Sequence, residues 1–191
     1  MTTFVSRSGR VLSVVTVAVF GLAVGTTLFP FTADGFIRSV AVFGFLTVAV
    51  YAAFWRPRLD VTDEGVVVTN VFATHTVDWG AVHLIDTKWG LTLWVTGRRI
   101  SVWAAPAPGR YTTFTASRDL GEHLPESTYL AGTVRPGDLA STESGGAAAV
   151  VRRQWDRRKP DNGRVVTTYS VGIAVALGVT GLCAALALFT T

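Results

Sequence analysis

Residues 58–105 read RLDVTDEGVVVTNVFATHTVDWGAVHLIDTKWGLTLWVTGRRISVWAA, and their alternation decides the fold. Leu59 and Val61 face one way while Asp60 and Thr62 face the other. Asp63–Glu64–Gly65 makes a turn, with glycine free to take positive φ. Val66 and Val68 share a face, and Asn70 interrupts the run. His75 to Trp89 is a longer strand region, broken near Gly80, where a bulge fits. Gly90 turns the chain. Leu91, Leu93 and Val95 then point inward, with Thr92, Trp94 and Thr96 outward. Gly97–Arg98 is a two-residue hairpin signal. Ile100 and Val102 return on the core face, with Ser101 and Trp103 opposite. Five segments of period two predict an antiparallel meander.

An uncharged apolar run lies on either side of this block. Charged residues are 16% of the 191 and apolar types 49%, where a soluble domain carries about 25% charge. The deficit sits in Val11–Ala33, Ser39–Trp55 and Val165–Thr191, none of which holds a charge. A bilayer span needs roughly 20 apolar residues, which the first and third runs supply. Gly35–Phe36–Ile37 completes the middle one, with Arg38 snorkelling to the headgroups. The expected spans are residues 11–29, 37–55 and 165–189, with 30–36 as the first loop. A cleaved signal peptide is the alternative for the first, since Arg7 and Arg10 resemble a charged n-region. Against it, the run is long and a second span follows almost at once.

Lys and Arg near the span ends set the orientation. Arg7, Arg10, Arg56 and Arg58 flank the first two spans on one side. Arg152, Arg153, Arg157, Arg158, Lys159 and Arg164 crowd the entrance to the third, whereas only Arg38 flanks the short loop. This predicts a multi-pass plasma-membrane protein. Residues 1–10 and the β-domain are cytoplasmic, and the loop and the C-terminus external. No ionisable residue lies deep within a span, which argues against an ion path. Gly21 and Gly25, and Gly178, Gly181 and Ala185, have small-residue spacing that admits close helix approach. They serve either a dimer seam or packing among the chain's own helices. Cys183, the single cysteine, reads as a small packing residue in the third span.

Between Ala105 and the third span the pattern weakens. Tyr111 to Phe114 fits one further strand, closing a β-domain over 56–116, and 117–140 is a polar insert. An amphipathic helix over 141–159, capped by Ser141 or Ser144, places Ala147, Val151 and Trp155 in one apolar stripe. Arg152, Arg153, Arg157 and Arg158 form its opposite flank. Pro160–Asp161–Asn162–Gly163 ends it.

Chemistry-bearing motifs are scarce. His75, His83 and His123 form no close-spaced pair, and one cysteine within lipid supports no thiolate metal site. His83 and Asp86, three apart on a strand, fall on opposite faces. There is no nucleophile elbow and no phosphate loop. Gly145–Gly146 offers only a weak anion cradle at a helix start. The expectation is a non-enzyme without cofactor or metal. Trp55 to Arg164 holds fourteen Lys and Arg against twelve Asp and Glu, a net of +2, too even for a nucleic-acid face. The binding candidates are Trp89, Trp94 and Trp103, near the outward face of the central hairpin, and Arg152, Arg153, Arg157, Arg158 and Lys159. Either the late helix covers the tryptophans, or they present an exposed aromatic surface. The basic set either meets anionic headgroups or simply marks the inner side of the third span.

Arg56–Pro57–Arg58–Leu59, Gly65–Val66–Val67–Val68–Thr69–Asn70, Val77–Asp78–Trp79 and Arg99–Ile100–Ser101–Val102–Trp103 together resemble bacterial pleckstrin-homology-like (PH-like) domains. The nearest type is that of actinobacterial membrane proteins, in which a helical hairpin precedes the domain. Arg135–Pro136–Gly137–Asp138, Ser144–Gly145 and the Val150–Trp155 helix resemble their tails. The resemblance implies a membrane α + β fold: an N-terminal transmembrane hairpin and a small antiparallel PH-like barrel or sandwich with a C-terminal capping helix. The third transmembrane helix and the polar insert depart from the pattern. The expected partners are the lipid bilayer and a membrane protein recruited by a scaffold at the inner leaflet. An anionic-lipid sensor and an accessory subunit of a membrane complex are the alternatives.

Overall fold

The computed structural model describes residues 1–107, 142–158 and 162–189. It divides into a β-module, Met1–Ser6 with Pro57–Thr168, and a helical unit, Arg7–Arg56 with Tyr169–Thr191. The predicted strand Tyr111–Phe114, the insert over 117–140, Ser141, Lys159, Pro160 and Asp161 lie outside the described residues.

In the β-module, β1 (Thr2–Phe4), β2 (Arg58–Val61), β3 (Gly65–Thr69), β4 (Ala73–Asp78) and β8 (Val165–Tyr169) form a five-stranded sheet in the order β1-β2-β3-β4-β8. A second, antiparallel sheet holds β5 (Val82–Asp86), β6 (Thr92–Val95) and β7 (Arg98–Ser101). A 3₁₀ turn, Trp79–Ala81, passes the chain from one sheet to the other at the break predicted near Gly80. The alternation holds: Leu59, Val61, Val66, Val68, Leu91, Leu93, Val95, Ile100 and Val102 are all buried in one core. Each such side chain contributes about 1.5–3 kcal/mol of burial free energy. The β6–β7 hairpin closes through Gly97 at φ 75°, and Gly90 turns the chain at φ 103°, conformations that glycine takes without the Cβ penalty.

Helix α3 (Glu143–Arg157) closes the module with Ala147, Ala148 and Val151 in the core and Trp155 packed against it. Its cap is Thr142, not Ser141 or Ser144. The Gly145 N–H donates to Thr142 Oγ1 at 3.0 Å, and Ser144 is fully buried in the first turn. The Gly146 N–H donates to Thr142 O at 2.9 Å, so the two glycine amides are already satisfied and cradle no anion.

The first and last strands and Asp60 depart from the sequence expectation, and the second apolar helix starts at Ala33, inside the loop expected over 30–36. Residues 1–10 are not merely a tail, because Thr2–Phe4 pairs with Leu59–Val61. Asp60, expected to be solvated, is buried there; Thr3 Oγ1 donates to its Oδ1 at 2.7 Å, and Arg58 Nε lies 3.3 Å from its Oδ2. The third apolar run does not begin as a span at residue 165. Val165–Tyr169 is β8, a Val-Val-Thr-Thr-Tyr segment rich in the β-branched residues that favour strands, and the helix starts only at Val171.

In the helical unit, α1 (Arg7–Thr26), α2 (Ala33–Val50, continued by a π-helical turn Tyr51–Trp55) and α4 (Val171–Phe189) are each long and apolar enough to cross a membrane. Helix α4, at 19 residues, spans about 28 Å at 1.5 Å per residue. Phe20 and Phe43 bring α1 and α2 together, ring centroids 5.3 Å apart, and Gly181 of α4 lies against the Phe45 ring. Gly21 and Gly25, by contrast, face open space, so packing within the chain does not use them. Cys183 is on the exposed surface of α4.

Candidate interaction surface

The outer side of the β5–β7 sheet carries large apolar side chains. Trp94 stands opposite Leu84 on β5 and Arg99 on β7, with Trp94 43% and Leu84 54% exposed. Trp103, two residues past the end of β7 and outward by alternation, is 54% exposed. Helix α3 packs on the core side, through Val151 and its neighbours, and leaves these side chains uncovered.

Hydrogen bonds fix the neighbouring turns. Asn70 Nδ2 donates to Ser101 O at 2.8 Å, and its Oδ1 accepts the Trp103 N–H at 3.1 Å. The β3–β4 turn, which bears the exposed Phe72, is thereby fastened to the end of β7. The β5–β6 turn is held by Asp86 Oδ1, which accepts the amides of Thr87 and Lys88 at 2.8 and 3.2 Å. Trp89 projects from this turn, 82% exposed, with Lys88 Nζ 5.8 Å from its ring centroid. The three predicted tryptophans thus occupy one sheet face and its adjoining turn. Sequence reasoning missed Leu84 and Phe72. Leu84 lies on β5, where a break in pairing register between Val82 and Leu84 puts both His83 and Leu84 outside and defeats simple alternation. Such aromatic surface, apolar yet able to hydrogen-bond, suits a protein contact or a membrane interface.

The predicted basic set is dispersed. Arg152 is buried and donates from Nη2 to Ile85 O at 3.3 Å. It follows Ala148 by four residues and so shares the inward stripe, its methylene stem covering apolar surface. Arg153 and Arg157 are exposed on α3. Arg158 is bound to Asp63, with Nη2 2.9 Å from Oδ1 and Nη1 donating to the main-chain O at 2.9 Å. Lys159 lies outside the described residues.

The histidines are tied to hydroxyls. His75 Nδ1 lies 2.9 Å from Thr167 Oγ1, which also accepts from Arg98 Nη2 at 2.7 Å. Burial, and secondarily the Arg98 charge, holds the His75 imidazole below its ordinary range. His83 Nε2 lies 3.2 Å from Thr96 Oγ1, while Asp86 serves its own turn. His123 is outside the described residues. Among the described residues no group of three or more His, Cys, Asp or Glu is placed to hold a metal ion.

Residues 56–138 match the family model of the bacterial PH domain, in keeping with the two-sheet module. The match takes in most of the segment read as an insert and ends before α3. No curated protein and no solved structure matches the chain.

Proposed function

We propose that the chain is a membrane-tethered, non-catalytic scaffold related to the actinobacterial membrane type. Its PH-like module lies at the inner leaflet of the plasma membrane and recruits a membrane protein partner through the outer face of the β5–β7 sheet. The exposure of Trp94 and Trp103 on a face that α3 leaves uncovered carries this reading. Indoles left 43% and 54% exposed give the fold only part of their burial free energy, whereas buried Trp is among the commonest anchors of interfaces. The orientation rests on the Arg-rich flanks of the helices.

Crosslinking in native membranes, followed by identification of the attached protein, tests the proposal. One dominant partner is expected, lost in Trp94→Glu and Trp103→Glu chains that still insert at normal level. Full retention by both variants would sink the proposal. The anionic-lipid alternative would draw on the exposed cations of α3, Arg153 and Arg157 among them, and not on Arg152, which is buried. Flotation with anionic but not neutral vesicles, unchanged by the tryptophan variants, would favour that alternative.

A further inference from the structure

We propose that the helical unit holds an intramembrane site for one anionic glycerophospholipid, between α1 and the π-helical end of α2. A groove of about 440 Å³ runs there, walled by Val14, Val17 and Ala18 on one side and Val50, Tyr51 and Trp55 on the other. Val14 is 59% exposed and Tyr51 48%, so the groove opens outward, toward whatever surrounds the helices. An apolar groove of this kind does not hold water. In a bilayer, the medium that meets it is an acyl chain.

Two further observations point to a ligand. The Arg56 N–H donates to Tyr51 O at 3.0 Å, five residues back, and π turns of this kind are rare and frequent at functional sites. Both aromatic residues that bound the turn, Tyr51 and Trp55, line the groove. The Arg10 guanidinium lies 5.2 Å from the Trp55 ring centroid, so a positioned cation stands at the mouth. Arg7 and Arg56 belong to the same end of the hairpin. Asp34, the only carboxylate among the described residues of the helical unit, begins α2 at the opposite end. A headgroup phosphate there meets the Arg10 charge.

The walls also argue for a lipid over a second copy of the chain. Close helix approach uses small residues spaced four apart, whereas the small Ser13 and Ala18 of this lining are five apart on α1 and the valines, Tyr51 and Trp55 are bulky. Gly21 and Gly25 lie farther along α1, outside the lining.

The test is native mass spectrometry of the full chain in detergent, with phosphatidylglycerol or phosphatidylcholine added. The unsubstituted chain is expected to keep one phosphatidylglycerol in preference to phosphatidylcholine. Val17→Trp and Ala18→Trp, which fill the groove, abolish that retention. Leu22→Trp, an exposed α1 position outside the groove, leaves it intact. Arg10→Gln weakens phosphatidylglycerol retention about fivefold, the worth of one interfacial cation, and leaves phosphatidylcholine unchanged. Equal retention of the two lipids by the unsubstituted chain overturns the proposal, as does equal loss in Leu22→Trp and Ala18→Trp. A two-copy species that Ala18→Trp dissociates would also overturn it and assign the groove to a second chain.

Discussion

The β5–β7 sheet and helix α3 turn one side each toward the same core, yet their outer sides carry opposite chemistry. The sheet shows Leu84, Trp94 and Trp103 to the outside, while the helix shows Arg153, Arg157 and Arg158. Cations on an outer helix flank are ordinary, since they remain solvated and α3 ends among them, where its dipole favours positive charge. Indoles on a pleated outer face are not. Leaving them in water gives up burial free energy, and the turns around them are pinned by Asn70 and Asp86. Under the proposed function the two surfaces do different work. On that reading the helix flank stays solvated and the sheet face makes the contact.

Neighbouring residues on β6 allow the largest break in that comparison. Leu93 is fully buried and Trp94 is 43% exposed. Leu93→Ala should cost about 2–5 kcal/mol through lost burial and the cavity left behind. Trp94→Ala should cost only about 0.2–1 kcal/mol, the worth of a cross-strand pair, while weakening partner capture. Denaturant unfolding of the full chain, read beside crosslinking yield, separates the two. A Trp94→Ala chain as destabilised as Leu93→Ala would mean that the outer face is structural.

The helix supplies a smaller version of the same contrast. Arg152→Ala should destabilise by roughly 1.5–3 kcal/mol, the range for a hydrogen bond to a charged group. Arg153→Ala, one residue on, should stay within about 0.5 kcal/mol. Arg152→Met keeps the stem and is expected to recover part of the loss. Equal, small effects at both positions would return Arg152 to the surface patch that the sequence predicts.

These contrasts also show what was legible in the chain. Period two marks which side of a strand meets the core, so Leu91, Leu93, Val95, Ile100 and Val102 were readable as inward residues and Trp94 and Trp103 as outward ones. The buried helix stripe is wider than the Ala147–Val151–Trp155 spacing predicts. Its buried set runs over Ser144, Gly145, Ala147, Ala148, Val151 and Arg152, and Ala148 four residues earlier is the signal that draws Arg152 inside. Val165–Tyr169 carries no charge, so it merged with the span that follows, although its β-branched composition separates it from the Ala- and Leu-rich Val171–Phe189. Thr2–Phe4 was beyond reach, because three residues show no period and their partners lie near residue 60. The outer tryptophans were legible as a surface, but nothing in their spacing names what they contact.

The smallest effect concerns a cation that the sheet does tie down. Arg98 begins β7 and donates to Thr167 on β8, beside His75 on β4. Burial first, and Arg98 second, lowers the His75 pKa in the folded chain. The folded state therefore binds this proton less readily than the unfolded one. The stability associated with neutral His75 should be complete above the ordinary imidazole value. It should decline as pH falls through that value toward the folded pKa. Thermal unfolding from about pH 8 to about pH 5, a window around 6.5, should show a shallow loss that His75→Gln removes. Arg98→Gln should leave most of the slope in place, because burial is the larger cause. If Arg98→Gln removes all of it, the imidazole is held neutral by charge alone, and the β4–β8 edge is more open to solvent than its packing indicates.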